Sequence, residues 1–198
     1  EITYELNAHQ QLYDATSDAF FDQHAAEALA GFDLDLAFID GMHLFEFALR
    51  DFINVEKHSS PTTLVVIDDI SPGHTSQAAR TRQTQVWTGD VWKLHHCLKA
   101  QRPDLLLIPV DASPTGLLLV AGLNPSSRTL PDAYNPLVRG YRDMTLDGQE
   151  DSVLNRRGVK SPDDPLVDAL LVHLRAERER DASQRPDLTR RFLEALRD

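Results

Sequence analysis

The chain has 198 residues, 41% of them hydrophobic and 26% charged, with 20 basic and 31 acidic side chains and a formal net charge of −11. That composition suits one globular core with an appendage, and the lack of any basic stripe excludes a nucleic-acid partner. No run approaches the ~18 apolar residues of a membrane span, the opening residues do not read as a signal peptide, and Cys97 is the single cysteine, so a reducing, cytoplasmic setting is expected.

In chain order, "QQLYDATSD" predicts a short strand over residues 10–15 that enters a turn at Thr16, Ser17 and Asp18. Apolar groups at 20, 21, 25, 28 and 29 have helical spacing. "DLDLAFID" (33–40) predicts a strand, and Leu44, Ala48, Phe52 and Val55 then fall on one helical face until Ser59, Ser60 and Pro61 stop it. "TTLVVID" is a continuous β-branched run, as in a strand covered on both faces. A Gly/Pro/Ser-rich loop (71–76) and a polar stretch lead to a helix near 90–100, in which Cys97 reads as a small core residue. "PDLLLIPVD" and "TGLLLVAGL" predict two strands joined as a hairpin.

The alternation followed by a hairpin predicts an α/β sandwich with an antiparallel strand at its edge, occupying residues 1–123. Residues 1–123 hold 17 acidic and 7 basic side chains, whereas 124–198 hold 14 and 13. The second part reads as a C-terminal extension, mostly loop to about 160, then two amphipathic helices in "PLVDALLVHLRAERER" and "DLTRRFLEALRD". Those helices offer a surface for packing on the domain or for a homo-oligomer.

Asp18, Asp40, Asp68 and Asp69 all fall at predicted strand ends, where parallel α/β sheets bind ligands. Two unit charges about 4 Å apart repel by ~4 kcal/mol at an effective dielectric near 20. A carboxylate cluster therefore calls for a proton or a hard divalent cation such as Mg2+. The plainer alternative is one Asp capping a helix, one bonding loop amides and one facing water.

"DLAFIDGMHLFEFALRDF" followed by "TLVVIDDI" resembles the fourth and fifth strand motifs of class I S-adenosylmethionine-dependent methyltransferases. More narrowly it is similar to the O-methyltransferase-like branch whose motif runs Phe-Ile-Asp-Gly-x-His-x-Tyr-Glu. "LYDATSDAFF" is similar to the third strand and its acidic end, and "WTGDVWK" and "PTGLLLV" to later elements, so the resemblance spans about residues 8–123. Met42 stands where an acid is common and Phe45 where Tyr is common. The resemblance implies a Rossmann-like sandwich with a terminal antiparallel hairpin. It also implies methyl transfer from S-adenosylmethionine to a hydroxyl of a small molecule, with a divalent metal assisting. Asp40, Asp68 and Asp69 would be metal positions, Asp40, Asp18 and Ser17 cofactor contacts, and Asp40 and His43 the catalytic pair, His43 as base.

The first glycine is Gly31 and the first residue Glu1, so the glycine-rich cofactor loop and first two strands implied by the resemblance are expected to lie outside this chain. Cofactor binding by the chain alone is then expected to be weak or nil. Trp87, Trp92 and Lys93 read either as a lid over the acceptor or as ordinary helix residues. His95 and His96 read as structural, since neighbours on a helix point apart. Two other functions compete: a metal-dependent phosphohydrolase-like domain, because an Asp-Asp strand end also suits Mg2+, and a non-catalytic interaction module.

Overall fold

The computed structural model describes residues 10–180, 191, 192 and 194–196. The chain divides after Phe32 into two compact units. In the first, α1 (Ser17–Gln23) starts at Thr16, whose hydroxyl accepts from Ala19 N at 3.2 Å, and α2 (Ala25–Ala28) follows directly. Residues 10–15 form no strand, a departure from the sequence reading. Tyr13 instead packs edge-on against Phe20 at 4.9 Å, so the aromatic side chain is used by the adjacent helix and not by a sheet.

The second unit holds β1 (Leu36–Ile39), α3 (Phe45–Lys57), β2 (Leu64–Ile67), α4 (Trp92–Gln101), β3 (Leu106–Val110), β4 (Leu117–Ala121), α5 (Thr129–Arg142), α6 (Glu150–Val153) and α7 (Pro165–Arg178). The four strands make one mixed sheet in the order β1-β2-β4-β3. β1 and β2 run parallel, with Leu36 opposite Leu64 and Ile39 opposite Ile67. β4 is antiparallel to both neighbours. It lies inside the sheet, between β2 and β3, and not at the edge where the sequence reading placed it.

The outer strand is β3, a position that tolerates Pro109 because an edge proline costs no ladder bond. Its flank is capped by Lys160, whose N donates to Pro109 O at 2.8 Å while its carbonyl accepts from Asp111 N at 2.8 Å.

β2 is buried along its whole length, as its unbroken apolar run requires. Leu64 and Val66 join Ile108, Leu119 and α7 residues Val167, Leu170 and Leu174 in one core cluster. Val65 and Ile67 point the opposite way and are also fully buried. α3 packs against α4 and α5. A buried ion pair ties α3 to the end of α4: Arg102 reaches Glu56 at 2.7 Å and also Asp104 at 2.7 Å.

Residues 129–142, read from the sequence as loop, form the α5 helix despite Pro136. An internal proline removes one helix bond, but Leu130 and Leu137 are buried, and the Tyr134 hydroxyl donates to Glu46 O at 3.0 Å. Packing outweighs propensity here. Among the described residues no helix is long and apolar enough to cross a membrane.

Candidate active site

Because β1 and β2 are parallel and in register, their last residues lead to the same sheet edge, where Asp68 N donates to Ile39 O at 3.0 Å. Asp40 follows β1, and the chain turns through Gly41 and Met42 to His43. Asp68 and Asp69 follow β2. His43 and Asp69 both have a left-handed backbone, with φ of 54° and 65°. Few residues other than Gly adopt that region, Asn, Asp and His most often among them, so both turns use a sparsely populated backbone at the spot where the charged groups meet.

The His43 ring lies between two carboxylates. Its Nδ1 is 2.7 Å from Asp69 Oδ2 and 2.8 Å from the Trp87 carbonyl oxygen; its Nε2 is 3.5 Å from Asp40 Oδ1. Both neighbours of Nδ1 are acceptors, so the ring proton is assigned to Nδ1 from its partners. Trp87 stacks on the imidazole with centroids 5.3 Å apart and planes 6° from parallel. One ligand atom each from Asp40, His43 and Asp69 lies within 4.8 Å of the others. They line a small pit of about 10 Å³, room for about one water or one ion.

Asp69 is buried, with 6% of its surface exposed. Burial pushes its carboxyl from 3.8 up to about 6; the facing His43 pulls it down and the neighbouring Asp68 pushes it up, with smaller effects from Thr115 and Asp40. Burial outweighs the imidazole. The carboxyl is thus ionised above about pH 6.

A second layer fixes the His43 turn. Asp90 N donates to His43 O at 3.1 Å, and Asp90 Oδ1 accepts from Phe45 N at 2.8 Å, capping the first turn of α3. Arg80 grips Glu46 and Asp90, each at 2.6 Å, and Lys93 Nζ reaches Asp90 at 2.9 Å. Gly89 passes so close that an added Cβ would sit 1.7 Å from His43 O.

The structure brings Asp40, His43 and Asp69 together; Asp68 lines the same pit but lies outside that three-residue cluster. Asp68 Oδ1 accepts from the Thr115 hydroxyl at 2.9 Å and from Asp69 N at 2.7 Å, so its carboxylate serves the hairpin and its own turn. Ser17 and Asp18 begin α1 in the other unit. Trp87 lies against His43, but Trp92 and Lys93 are core residues, 2% and 3% exposed, and form no lid. Gly89, Asp90, Arg80 and Thr115 were not singled out from the sequence. The run "WTGD" holds the first two; Gly89 makes the tight turn, but Asp90 caps α3 and not the helix that follows it.

Residues 4–70 match the model of a family described as a methyltransferase domain. The match covers roughly a third of the chain and ends one residue after Asp69, so it contains Asp40, His43 and Asp69. No curated protein and no solved structure matches the chain.

Proposed function

We propose that this edge carries out methyl transfer from S-adenosylmethionine to a hydroxyl of a small molecule, with His43 as the base. The observation that carries the reading is the clamped imidazole: Nδ1 is held by the Trp87 carbonyl and faces the buried Asp69, with Nε2 beside Asp40. The family match over residues 4–70 supports methyl transfer as the reaction class.

S-adenosylmethionine would supply an electrophilic methyl on sulfonium, a group that needs no acid assistance. The chain's task is on the acceptor side. His43 Nε2 takes the hydroxyl proton, the Trp87 carbonyl accepts the Nδ1 hydrogen and orients the ring, and the Asp69 and Asp40 carboxylates offset the charge that forms. Asp69 performs this role only when ionised, above about pH 6.

A divalent ion is the second reading, favoured by the three-residue cluster. Asp40, His43 and Asp69 would hold it, and it would lower the acceptor hydroxyl's pKa. An imidazole among the donors shifts preference from Mg2+ towards a transition ion.

The test is label transfer from methyl-labelled S-adenosylmethionine to a panel of phenols and diols by the protein, with p-nitrophenyl phosphate hydrolysis measured in parallel. Methylated product that persists in EDTA supports His43 as base; product abolished by EDTA and restored by Mn2+ supports the ion. Phosphate release without methylation overturns the reading.

A further inference from the structure

Away from the strand ends, two adjoining cavities open between α4, the outer edge of β3 and residues 152–159. The outer one is about 400 Å³ and the more enclosed inner one about 100 Å³, and His95, Lys99, Pro109 and Arg157 line both. In a chain of net charge −11, no Asp or Glu among the described residues lines either cavity. Lys99 is exposed, with no ion pair among the described residues. Arg157 meets Asp151 at 3.3 Å in a pair whose side chains are 79% and 63% exposed. Such a surface pair is weak and readily exchanged.

Trp92 and His96 complete the wall of the inner cavity, where they pack edge-on with ring centroids 5.5 Å apart. Burial holds the His95 imidazole down to about 4, and the neighbouring His96 and Lys99 act in the same direction. The ring is therefore a neutral N–H donor beside two permanent cations. The outer wall is apolar, formed by Leu105, Leu106 and Pro109.

We propose that this double cavity binds a phosphate monoester, its phosphate among Lys99, Arg157 and His95 and its organic part against Leu106 and Pro109. Two fixed positive charges with an imidazole donor suit a dianion with three oxygens better than a carboxylate. The outer volume exceeds that of a bare ion and calls for an organic body. None of these residues belongs to the Asp40–His43–Asp69 cluster, so the proposal is independent of the methyl-transfer reading.

The test is calorimetric titration of the chain with phenyl phosphate, with benzoate and benzyl alcohol as comparison ligands, alongside the Trp92 indole resonance in a proton–nitrogen spectrum. Phenyl phosphate should bind and shift that resonance, benzoate should bind more weakly, and benzyl alcohol should not bind. The double variant K99Q/R157Q removes two exposed side chains and should keep its thermal midpoint while losing at least about tenfold in affinity. Three results would each overturn the proposal: no binding at millimolar phenyl phosphate, benzoate binding as tightly, or undiminished affinity in the double variant.

Discussion

Asp69 is buried, has a left-handed backbone and faces His43 Nδ1 at 2.7 Å. Strained residues of this kind persist where the surroundings over-determine them, and they gather at functional sites. Its titration gives a direct check on the burial. The folded carboxyl titrates near 6 against an ordinary 3.8, so the folded state takes up a proton before the unfolded state does. The cost of the buried charge is fully present above pH 6 and is relieved as pH falls from about 6 towards 3.8. Asp69→Asn removes that titration, and Asn accepts a left-handed backbone. Thermal melts should therefore show the wild type gaining stability relative to Asp69→Asn as pH drops through this window. A constant difference between the two would mean that the Asp69 carboxyl is not held up.

The elements meet at this edge because two parallel strands end together and one segment, residues 87–90, braces the turn between β1 and α3. Gly89 is the element's weak point. Its φ of 56° and the 1.7 Å approach of a notional Cβ to His43 O leave no room for alanine. Gly89→Ala should cost at least about 1–2 kcal/mol from backbone conformation alone. It should also lower activity further than that stability loss explains, because His43 must move. Denaturant unfolding set beside turnover measures both; equal stability and activity to wild type would contradict this account.

The strand edge was legible in the sequence because two apolar runs, at 36–39 and 64–67, are each followed by aspartate. Which carboxylate joins His43 was not legible. Asp68 and Asp69 are adjacent, and the Thr115 hydroxyl, brought from 47 residues away, takes Asp68. The helix at 129–142 was hidden for a related reason: Pro131, Asn135 and Pro136 read as loop, and only the tertiary burial of Leu130 and Leu137 outweighs them. The antiparallel strand's interior place depends on strand order, which spacing along the chain does not encode.

For the whole molecule, charge and topology agree. A net charge of −11 attracts cations, and both a sulfonium methyl donor and a divalent ion are cationic. The cavity between α4 and β3 departs from that field, with basic groups where the rest of the chain is acidic, so the two regions would select ligands of opposite charge. His43, held by the Trp87 carbonyl and facing Asp69, is the proposed base of methyl transfer. That role is read from the single-turnover rate of labelled methyl transfer in the protein and its His43→Asn variant. Asn keeps the left-handed backbone and removes the base. The account predicts that the rate falls by about 10²–10⁴, with S-adenosylmethionine affinity and the thermal midpoint unchanged. A His43→Asn protein that transfers methyl as fast as wild type would contradict it.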